Sequence, residues 1–275
     1  MDYKMIVLDI DGTLTNSSKE ISPETLAALL EIQERGFRVA IASGRPPLGV
    51  KRVADALKLQ KYGNYVLAYN GGRIINCKTE EIVYKKLISS TVVAALQEDA
   101  AEQGVGMLTY DEEGAIAATP VDSYMELEAR LNNIVIKEVE DFKSFVNFPV
   151  NKCLMTGEPE RLIEVETALK QKYHGFLNIF RSEPYFLEVM PMGIDKAASL
   201  SKLLQMLGLT ADQMICCGDG FNDITMLEYA GLGVAMANAK DEVLAAADYV
   251  TASNDENGIL QVIQKFVLAD NPLSL

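Results

Sequence analysis

The chain has 275 residues, 49% of them hydrophobic, and a formal net charge of −14. This length allows one or two domains with a sizeable core, and the hydrophobic content excludes a generally disordered chain. The negative charge argues against a nucleic acid or an anionic membrane as a partner, because its long-range field repels both.

The first predicted element is a short apolar run that starts at Met5 and stops at Asp9 and Asp11. Such a run is typical of a strand buried on both faces of a parallel sheet, and ligands of open α/β sheets bind where such strands end. Since side chains at i and i+2 project to the same side of an extended chain, we expect both carboxylates to face one small volume and to need a cation there. Gly12 lets the backbone turn and a ligand approach closely. The alternative is an ordinary Asp-Gly turn.

Strands and helices alternate from the N-terminus to about residue 80. A capping serine followed by proline, Ser22-Pro23, opens the first helix, and Gly36 ends it. The next predicted elements are a strand over Phe37–Ala42 that stops at Ser43-Gly44-Arg45, a helix over Leu48–Leu57, and a strand over Tyr65–Tyr69 that ends in Asn70-Gly71-Gly72.

The middle of the chain, from about Lys85 to Glu188, has a different pattern. Its predicted helices are Thr91–Gln103, Ser123–Leu131 and Pro159–Tyr173. Its predicted strands are Met107–Tyr110, Ala115–Ala118, Ile134–Val139, Cys153–Thr156, Leu177–Arg181 and Tyr185–Met190. We therefore expect an α+β unit with its own core, inserted into the first domain.

The alternation returns near the C-terminus. The predicted elements there are a helix over Lys196–Leu207, a strand over Met214–Cys217, a helix over Ile224–Ala230, and strands over Gly233–Met236 and Tyr249–Val250. Alternating strands and helices indicate a parallel sheet, so the fold class is α/β. The expected domains are 1–84 with 189–275, and the insertion 85–188.

The four cysteines, Cys77, Cys153, Cys216 and Cys217, are too few to staple a chain of this length. We interpret them as reduced core residues of a cytoplasmic protein. The apolar run at the N-terminus is broken at Asp9, so neither a secretory signal peptide nor a membrane-spanning stretch is expected.

Polar residues recur where these strands end or a helix begins. They are Asp9 and Asp11, Ser43, Lys196, Asp219, Asn222 and Asp223. Mg²⁺ prefers hard oxygen ligands, while a serine hydroxyl and a lysine ammonium suit a phosphate, so the set predicts a phosphate and magnesium site. Taken alone, Asp219 and Asp223 also fit a glycine-rich turn with a helix cap, and Lys196 fits a solvated lysine. Arg45 fits either a phosphate contact or a cap on its loop.

These residues form four motifs in a fixed order. DxDGT at Asp9–Thr13, the serine of ASGR at Ser43, a single lysine at Lys196 and GDGxND at Gly218–Asp223 resemble the haloacid dehalogenase-like hydrolases. The large insertion is similar to the cap of the Cof-type (type IIB) branch. The resemblance implies a Rossmann-like parallel-sheet core with an inserted α+β cap. It also implies a magnesium-dependent phosphatase that acts on phosphate monoesters of small metabolites such as sugar phosphates.

The resemblance also implies a role for each residue. Asp9 would attack phosphorus, form an aspartyl-phosphate and bind Mg²⁺ through its other oxygen. Asp11 would protonate the leaving alcohol and then deprotonate water, with its carbonyl facing the metal, which favours a phosphohydrolase over a dehalogenase. Asp219 would be a metal ligand, and Asp223 either a ligand or an anchor for the ligands. The remaining phosphate- or substrate-binding residues would be Ser43, Lys196, Asn222, Gly12, Gly44 and Arg45.

Two other functions remain open at this point. A sugar phosphomutase of the same superfamily would share the DxDGT motif and a similar cap. A phospho-accepting, receiver-like signalling protein would also gather aspartates, a hydroxyl and a lysine at the end of a parallel sheet. The expected partner is a small phosphorylated metabolite, with substrate and oligomeric state left open. Tyr110, Arg181 and Tyr185 are candidates to line the substrate face of the cap, although each also fits a surface or core position.

Overall fold

The computed structural model describes residues 2–268. Met1 and residues 269–275, which belong to the expected core ranges 1–84 and 189–275, lie outside the described residues. The chain forms two compact units. The first unit comprises the chain up to Gly44, Arg52–Val83, and the chain from Asp195 onwards, and the second comprises Arg45–Lys51 and Tyr84–Ile194.

The structure contains a strand or helix at every predicted position and adds several short elements. The strands are β1 (Met5–Leu8), β2 (Arg38–Ala42), β3 (Tyr65–Ala68), β4 (Arg73–Asn76), β5 (Ile82–Lys85), β6 (Gly106–Tyr110), β7 (Gly114–Ala118), β8 (Val135–Val139), β9 (Cys153–Thr156), β10 (Leu177–Glu183), β11 (Phe186–Pro191), β12 (Met214–Gly218), β13 (Leu232–Ala235) and β14 (Tyr249–Val250). The α-helices are α1 (Pro23–Glu34), α2 (Pro47–Ala56), α3 (Leu59–Tyr62), α4 (Ser90–Gln103), α5 (Ser123–Asn132), α6 (Phe142–Phe145), α7 (Pro159–Lys172), α8 (Lys196–Leu207), α9 (Ile224–Tyr229), α10 (Asp241–Ala245) and α11 (Gly258–Val262).

The sheet of the first unit has the strand order β14-β13-β12-β1-β2-β3-β4-β5. The run from β14 to β3 is parallel, as expected from the sequence. β4, which the sequence analysis did not predict, pairs with β3 antiparallel and extends the sheet beyond the parallel strands. A tight turn at Tyr69–Gly71 joins β3 to β4, and a turn this short reverses the chain and leaves no room for a crossover helix.

The register of the central strands brings their carboxyl ends level. β1 lies between β2 and β12, and all four of its residues are buried. Leu8 pairs with Ile41 on one side and with Cys217 on the other. The residues that follow these strands therefore lie at the same edge of the sheet.

The second unit is an α+β fold built on a sheet of order β10-β11-β9-β6-β7-β8. Most of its pairs are antiparallel, and β7 and β8 are parallel. Its hydrophobic core includes Val93, Leu96, Met107, Met155, Leu162 and Leu187. This is the separate core expected for the insertion.

The edges of the second unit differ from the expected range 85–188. The expected boundary at residue 188 falls inside β11, which pairs with β9 as far as Val189 and with β10 as far as Pro191. A strand within a hydrogen-bonded ladder cannot be divided between two units, and the edge lies after Ile194 instead. Arg45–Lys51, expected in the first domain, groups with the second unit.

All four cysteines are free, as expected. Cys153, Cys216 and Cys217 are buried and Cys77 is half-buried. Within residues 2–268 we find no helix that combines the length and the apolar character needed to cross a membrane.

Candidate active site

The site lies in the first unit, at the carboxyl ends of its parallel strands. Asp9 directly follows β1, Ser43 follows β2, and Asp219 follows β12. The strand ends at Leu8, one residue before Asp9, and the Asp9 backbone N–H still donates to the carbonyl of Cys217 at 3.1 Å. The sheet hydrogen bonds thus continue through the backbone of Asp9 and hold its side chain at the sheet edge.

A buried lysine joins two of the carboxylates. Lys196 is the first residue of α8, and Asp195 caps that helix by accepting from the N–H of Ala198 at 2.8 Å. The Lys196 Nζ donates to Asp9 Oδ1 at 2.6 Å and to Asp223 Oδ1 at 2.5 Å. Lys196 and Asp223 are 0% exposed. The solvated-lysine interpretation is therefore wrong.

Asp223 is held on both of its oxygens. Besides the Lys196 ion pair on Oδ1, its Oδ2 accepts from the backbone N–H of Asp219 at 3.0 Å and of Gly220 at 2.9 Å. These bonds fix the 218–223 loop and leave Asp223 with little free acceptor capacity. The geometry favours the anchoring alternative for Asp223.

Asp219 is oriented by the loop after β1. The hydroxyl of Thr13 donates to Asp219 Oδ1 at 2.7 Å. Gly12 has a φ of +77°, and a Cβ at this position would overlap the Asp219 carboxylate. The carbonyl of Gly12 in turn accepts from Asn238 Nδ2 at 2.8 Å. A glycine is thus required at residue 12 for two reasons, its backbone conformation and the approach of Asp219.

Oxygens of Asp9, Asp219 and Asp223 lie within 4.8 Å of one another. The ammonium of Lys196 pairs with two of these three carboxylates, those of Asp9 and Asp223, so the ammonium and the three carboxylates together carry two excess negative charges when all are ionised. Hard oxygen donors with such an excess of negative charge fit a small divalent cation such as Mg²⁺. The residues present therefore suit the metal that the motifs predict.

The pKa values of Asp9, Asp219 and Lys196 are all raised in this group of charged side chains. Burial is the largest cause that raises the pKa of Asp9, to about 8, while Lys196 lowers it and Asp223 raises it. Burial also raises the pKa of Asp219 to about 6, against the lowering effect of the Thr13 hydroxyl. For Lys196, burial alone lowers the pKa, but the carboxylates of Asp223 and Asp9 outweigh it and raise the pKa above its usual value. The ammonium therefore stays charged, while the carboxylates need further positive charge nearby.

Asp11 is placed differently from the sequence-based expectation. Its Oδ1 accepts from Lys19 Nζ at 2.8 Å, and both side chains are well exposed, at 39% and 56%. The i and i+2 argument fails because the strand ends at Leu8, so Asp9 and Asp11 do not belong to one extended segment. The carboxylate of Asp11 is not part of the three-carboxylate group described above.

The loop of Ser43 and Gly44 and the turn at Asn70 border the site. Ser43 is buried, and its carbonyl accepts from the N–H of Asn70 at 2.9 Å. Asn70 Oδ1 accepts from Asn222 Nδ2 at 3.0 Å, and the Asn70 carboxamide also lies next to Gly44. The structure thus brings Ser43, Gly44 and Asn222 together, with Asn70 between them.

The other candidates have contacts within the second unit. Arg45 Nη1 donates to the carbonyl of Gly49 at 3.2 Å, which fits the loop-capping alternative. Tyr110 is buried and donates to Glu128 at 2.6 Å, and the exposed Arg181 pairs with Glu166 at 2.7 Å. These contacts match the core and surface alternatives for the two residues. Tyr185 stacks on Tyr124, with ring centroids 5.1 Å apart.

Sequence reasoning gave no role to three residues of this site, Thr13, Lys19 and Asn238, and did not assign the contact that Asn70 makes. Thr13 belongs to the DxDGT motif, so its proximity to the other motifs was a usable signal. Asn70 follows a core strand, and its sequence context fits a turn, a hinge or a substrate loop, which does not predict its contact with Asn222. Lys19 and Asn238 carry no local signal, because each acts through a partner that folding brings close.

Comparison with known proteins agrees with this arrangement. A family model described as haloacid dehalogenase-like hydrolase matches residues 6–263. The matched range includes Lys196, the 218–223 loop and all of β1 except Met5. The chain belongs to this family of hydrolases.

Individual relatives indicate which kind of hydrolase this chain is. The 5-amino-6-(5-phospho-D-ribitylamino)uracil phosphatase YcsE of Bacillus subtilis is 32% identical over 268 residues, which cover 98% of this chain and 97% of that protein. A haloacid dehalogenase-like hydrolase from Bacteroides thetaiotaomicron has a solved structure with a TM-score of 0.92 and 46% identity, covering 96% of this chain and 99% of the other. The subclass IIB sugar phosphatase BT4131 gives a TM-score of 0.81 and 29% identity, covering 96% and 98%. The chain is thus an enzyme of the phosphatase class with the α/β fold of this family.

Proposed function

We propose that this protein hydrolyses phosphate monoesters of small metabolites, with Mg²⁺ as cofactor and through an aspartyl-phosphate on Asp9. The observation that carries the proposal is the group of three carboxylates, two of which pair with the buried ammonium of Lys196. Phosphoryl transfer is catalysed mainly by positioning and by positive charge around the transferring group. An acidic metal site beside a buried cation meets both requirements.

Asp9 is the proposed nucleophile. Its Oδ1 accepts from Lys196, so Oδ2 is the oxygen that attacks phosphorus. In the first step the Asp9 O–P bond forms and the P–O bond to the leaving alcohol breaks. In the second step water attacks phosphorus, inorganic phosphate leaves, and the Asp9 carboxylate is regenerated.

Asp11 is the proposed acid and base. It gives a proton to the leaving alkoxide in the first step and takes one from the attacking water in the second, so its protonation state is restored in each cycle. Lys19 holds the Asp11 carboxylate at the exposed rim of the loop.

The proposed metal ligands are the carboxylates of Asp9 and Asp219 and the carbonyl of Asp11. Asp223 anchors Lys196 and the 218–223 loop. When bound, Mg²⁺ supplies positive charge that stabilises the transferring phosphoryl group. Ser43, Lys196 and Asn222, with the backbone at Gly12 and Gly44, are the proposed phosphate contacts.

The second unit is the proposed cap. The residues proposed above act on the phosphoryl group, the metal, the leaving-group oxygen or one another, and all substrates of this chemistry share these groups. The residues that discriminate between leaving groups must then be others, and we assign this role to residues of the second unit. The relatives named as a sugar phosphatase and as a phosphatase of a phosphorylated ribityl compound support a small phosphorylated metabolite as substrate. A cytoplasmic location stays a prediction.

The test is phosphate release from a panel of sugar phosphates and other phosphorylated metabolites, with Mg²⁺ or with excess chelator. We expect turnover with Mg²⁺ only, and none in Asp9→Asn, which keeps the side-chain shape but loses the nucleophile. Asp212→Asn, an exposed carboxylate of the same unit, is the matched control and should retain wild-type rates. Full activity in chelator, or in a folded Asp9→Asn variant, would contradict the proposal. Isomer formation without phosphate release would identify a phosphomutase instead.

Asp11 has its own test. Asp11→Asn should slow hydrolysis of an alkyl phosphate more than that of an aryl phosphate, because the aryl leaving group needs less protonation. Equal losses of hydrolysis rate on both substrates would show that Asp11 is not the general acid. They would not affect the assignment of Asp9 as the nucleophile.

A further inference from the structure

The turn between β3 and β4 is strained at its tip. Tyr69, Asn70 and Gly71 all have positive φ, at 53°, 52° and 91°. A left-handed conformation costs free energy at any residue other than glycine, and here two such residues adopt it in succession. Backbone strain of this kind persists only where the surrounding structure holds it in place.

Hydrogen bonds hold the backbone of the turn. The N–H of Asn70 donates to the carbonyl of Ser43 at 2.9 Å, and the N–H of Gly72 donates to the carbonyl of Tyr69 at 2.8 Å. Ser199, which is buried one turn after Lys196 in α8, donates from its hydroxyl to the carbonyl of Gly71 at 2.8 Å. The turn is thus attached both to the loop of Ser43 and to the helix that carries Lys196.

The backbone alone does not explain an asparagine at the tip. Glycine adopts a φ of 52° at less cost, whereas asparagine adds a carboxamide. That carboxamide accepts from Asn222 Nδ2 at 3.0 Å, across 152 residues of sequence. Asn222 is exposed, so without a partner its side chain would sample several rotamers.

We propose that Asn70 is a positioning residue for Asn222. Its Oδ1 takes one hydrogen of the Asn222 Nδ2 group and thereby fixes the rotamer and the amide orientation of Asn222. The second hydrogen of that group is then available to an oxygen of the substrate phosphoryl group. This inference rests on the proposed function, in which Asn222 contacts the phosphate.

A double-mutant cycle tests the proposal. In Asn70→Gly the new residue suits the backbone and the acceptor for Asn222 is lost, so we expect kcat/KM for phosphate release to fall by about three- to tenfold, as for the loss of one hydrogen bond. Asn222→Ala should reduce kcat/KM at least as much. The double variant should be no worse than Asn222→Ala alone, because Asn70 acts through Asn222. Losses that simply multiply, or an unchanged Asn70→Gly, would overturn the proposal.

Asn257→Gly is the matched control, since Asn257 also has a positive φ, of 58°, at a turn of the same unit. It should leave kcat/KM unchanged. If Asn257→Gly lowered kcat/KM as much as Asn70→Gly, removal of any asparagine with a left-handed backbone would impair the enzyme. That result would overturn the assignment of Asn70 as a positioning residue.

A second readout does not depend on activity. In the nitrogen-15 spectrum of the asparagine side chains, the Asn222 amide signal is identified by its absence in Asn222→Ala. We expect this signal to move toward the position of a solvent-exposed amide in Asn70→Gly and to stay in place in Asn257→Gly. An Asn222 signal that does not move in Asn70→Gly would overturn the proposal. A wild-type protein that releases no phosphate, with the Asn222 signal still moving, would instead contradict the proposed function alone.

Discussion

Lys196 Nζ lies 2.5 Å from Asp223 Oδ1, and both side chains are completely buried. The same ammonium lies 2.6 Å from Asp9 Oδ1. One cation therefore pairs with two carboxylates, one directly after β1 and one in the 218–223 loop. A buried ion pair costs desolvation to form, and removing one partner leaves the other charged and unpaired.

We expect Lys196→Met to lower the free energy of unfolding of the metal-free protein by about 3–5 kcal/mol, because it leaves two buried carboxylates without a counter-charge. Urea denaturation in excess chelator measures this loss. Lys143→Met is the matched control, since Lys143 pairs with Glu98 where both side chains are more than half exposed, and it should change stability much less. Similar losses of unfolding free energy in the two variants would show that burial does not make the Lys196 ion pairs more important for stability than an exposed pair.

The stability of the metal-free protein should depend on pH through Asp9 and Asp219. Burial raises their pKa values in the folded state to about 8 and about 6, above the usual carboxyl value. The folded protein then binds protons more tightly than the unfolded chain, so the contribution of these groups is lost as pH rises through the folded-state pKa values.

Comparison of the wild type with Asp9→Asn in chelator isolates the contribution of Asp9. Between about pH 5 and about pH 8 the variant should become more stable relative to the wild type, by more than about 1 kcal/mol. Saturating Mg²⁺ should abolish this trend, because the cation replaces the proton. A stability difference that does not change with pH would contradict the burial argument.

Gly12→Ala should impair the metal site. Both Gly12 and Gly36 have left-handed backbones, with φ of +77° and +88°, but only at Gly12 would a Cβ overlap the Asp219 carboxylate. We expect each variant to lose about 1–3 kcal/mol through backbone strain. Only Gly12→Ala should raise the Mg²⁺ concentration needed for half-maximal phosphate release, by about tenfold or more. An equal Mg²⁺ requirement in the two variants would mean that Asp219 moves aside without consequence.

Thr13→Val removes the hydroxyl that donates to Asp219 Oδ1 at 2.7 Å. That hydrogen bond lowers the pKa of Asp219 and orients it, so its loss should raise the Mg²⁺ requirement by about 10- to 100-fold. Thr15→Val is the control within the same loop, because the buried Thr15 hydroxyl donates to the carbonyl of Ile10 at 2.9 Å. It should cost stability and leave the Mg²⁺ requirement unchanged. The prediction fails if the two variants need the same Mg²⁺ concentration.

Much of the fold could be predicted from local patterns. The apolar run before Asp9 predicts a buried strand, and Ser22-Pro23 and Gly36 bound the first helix, because burial and capping act over a few residues. The carboxylates at Asp9 and Asp219 could be assigned to the site for the same reason, since each directly follows a strand of a parallel sheet. Some short elements, such as the four-residue β4, were missed because they carry little periodicity of their own.

The contacts that make these residues a site depend on the tertiary structure. Thr13 reaches Asp219 across 206 residues, Lys196 reaches Asp9 across 187, and Asn222 reaches Asn70 across 152. Each distance depends on the register between neighbouring strands and on the packing of α8, which no local pattern specifies. Asp11 shows the same limit, because its sequence spacing from Asp9 suggests a shared site while the fold pairs it with Lys19. The sequence by itself thus determined which residue types stand at the sheet edge, and the strand register decided which of them meet.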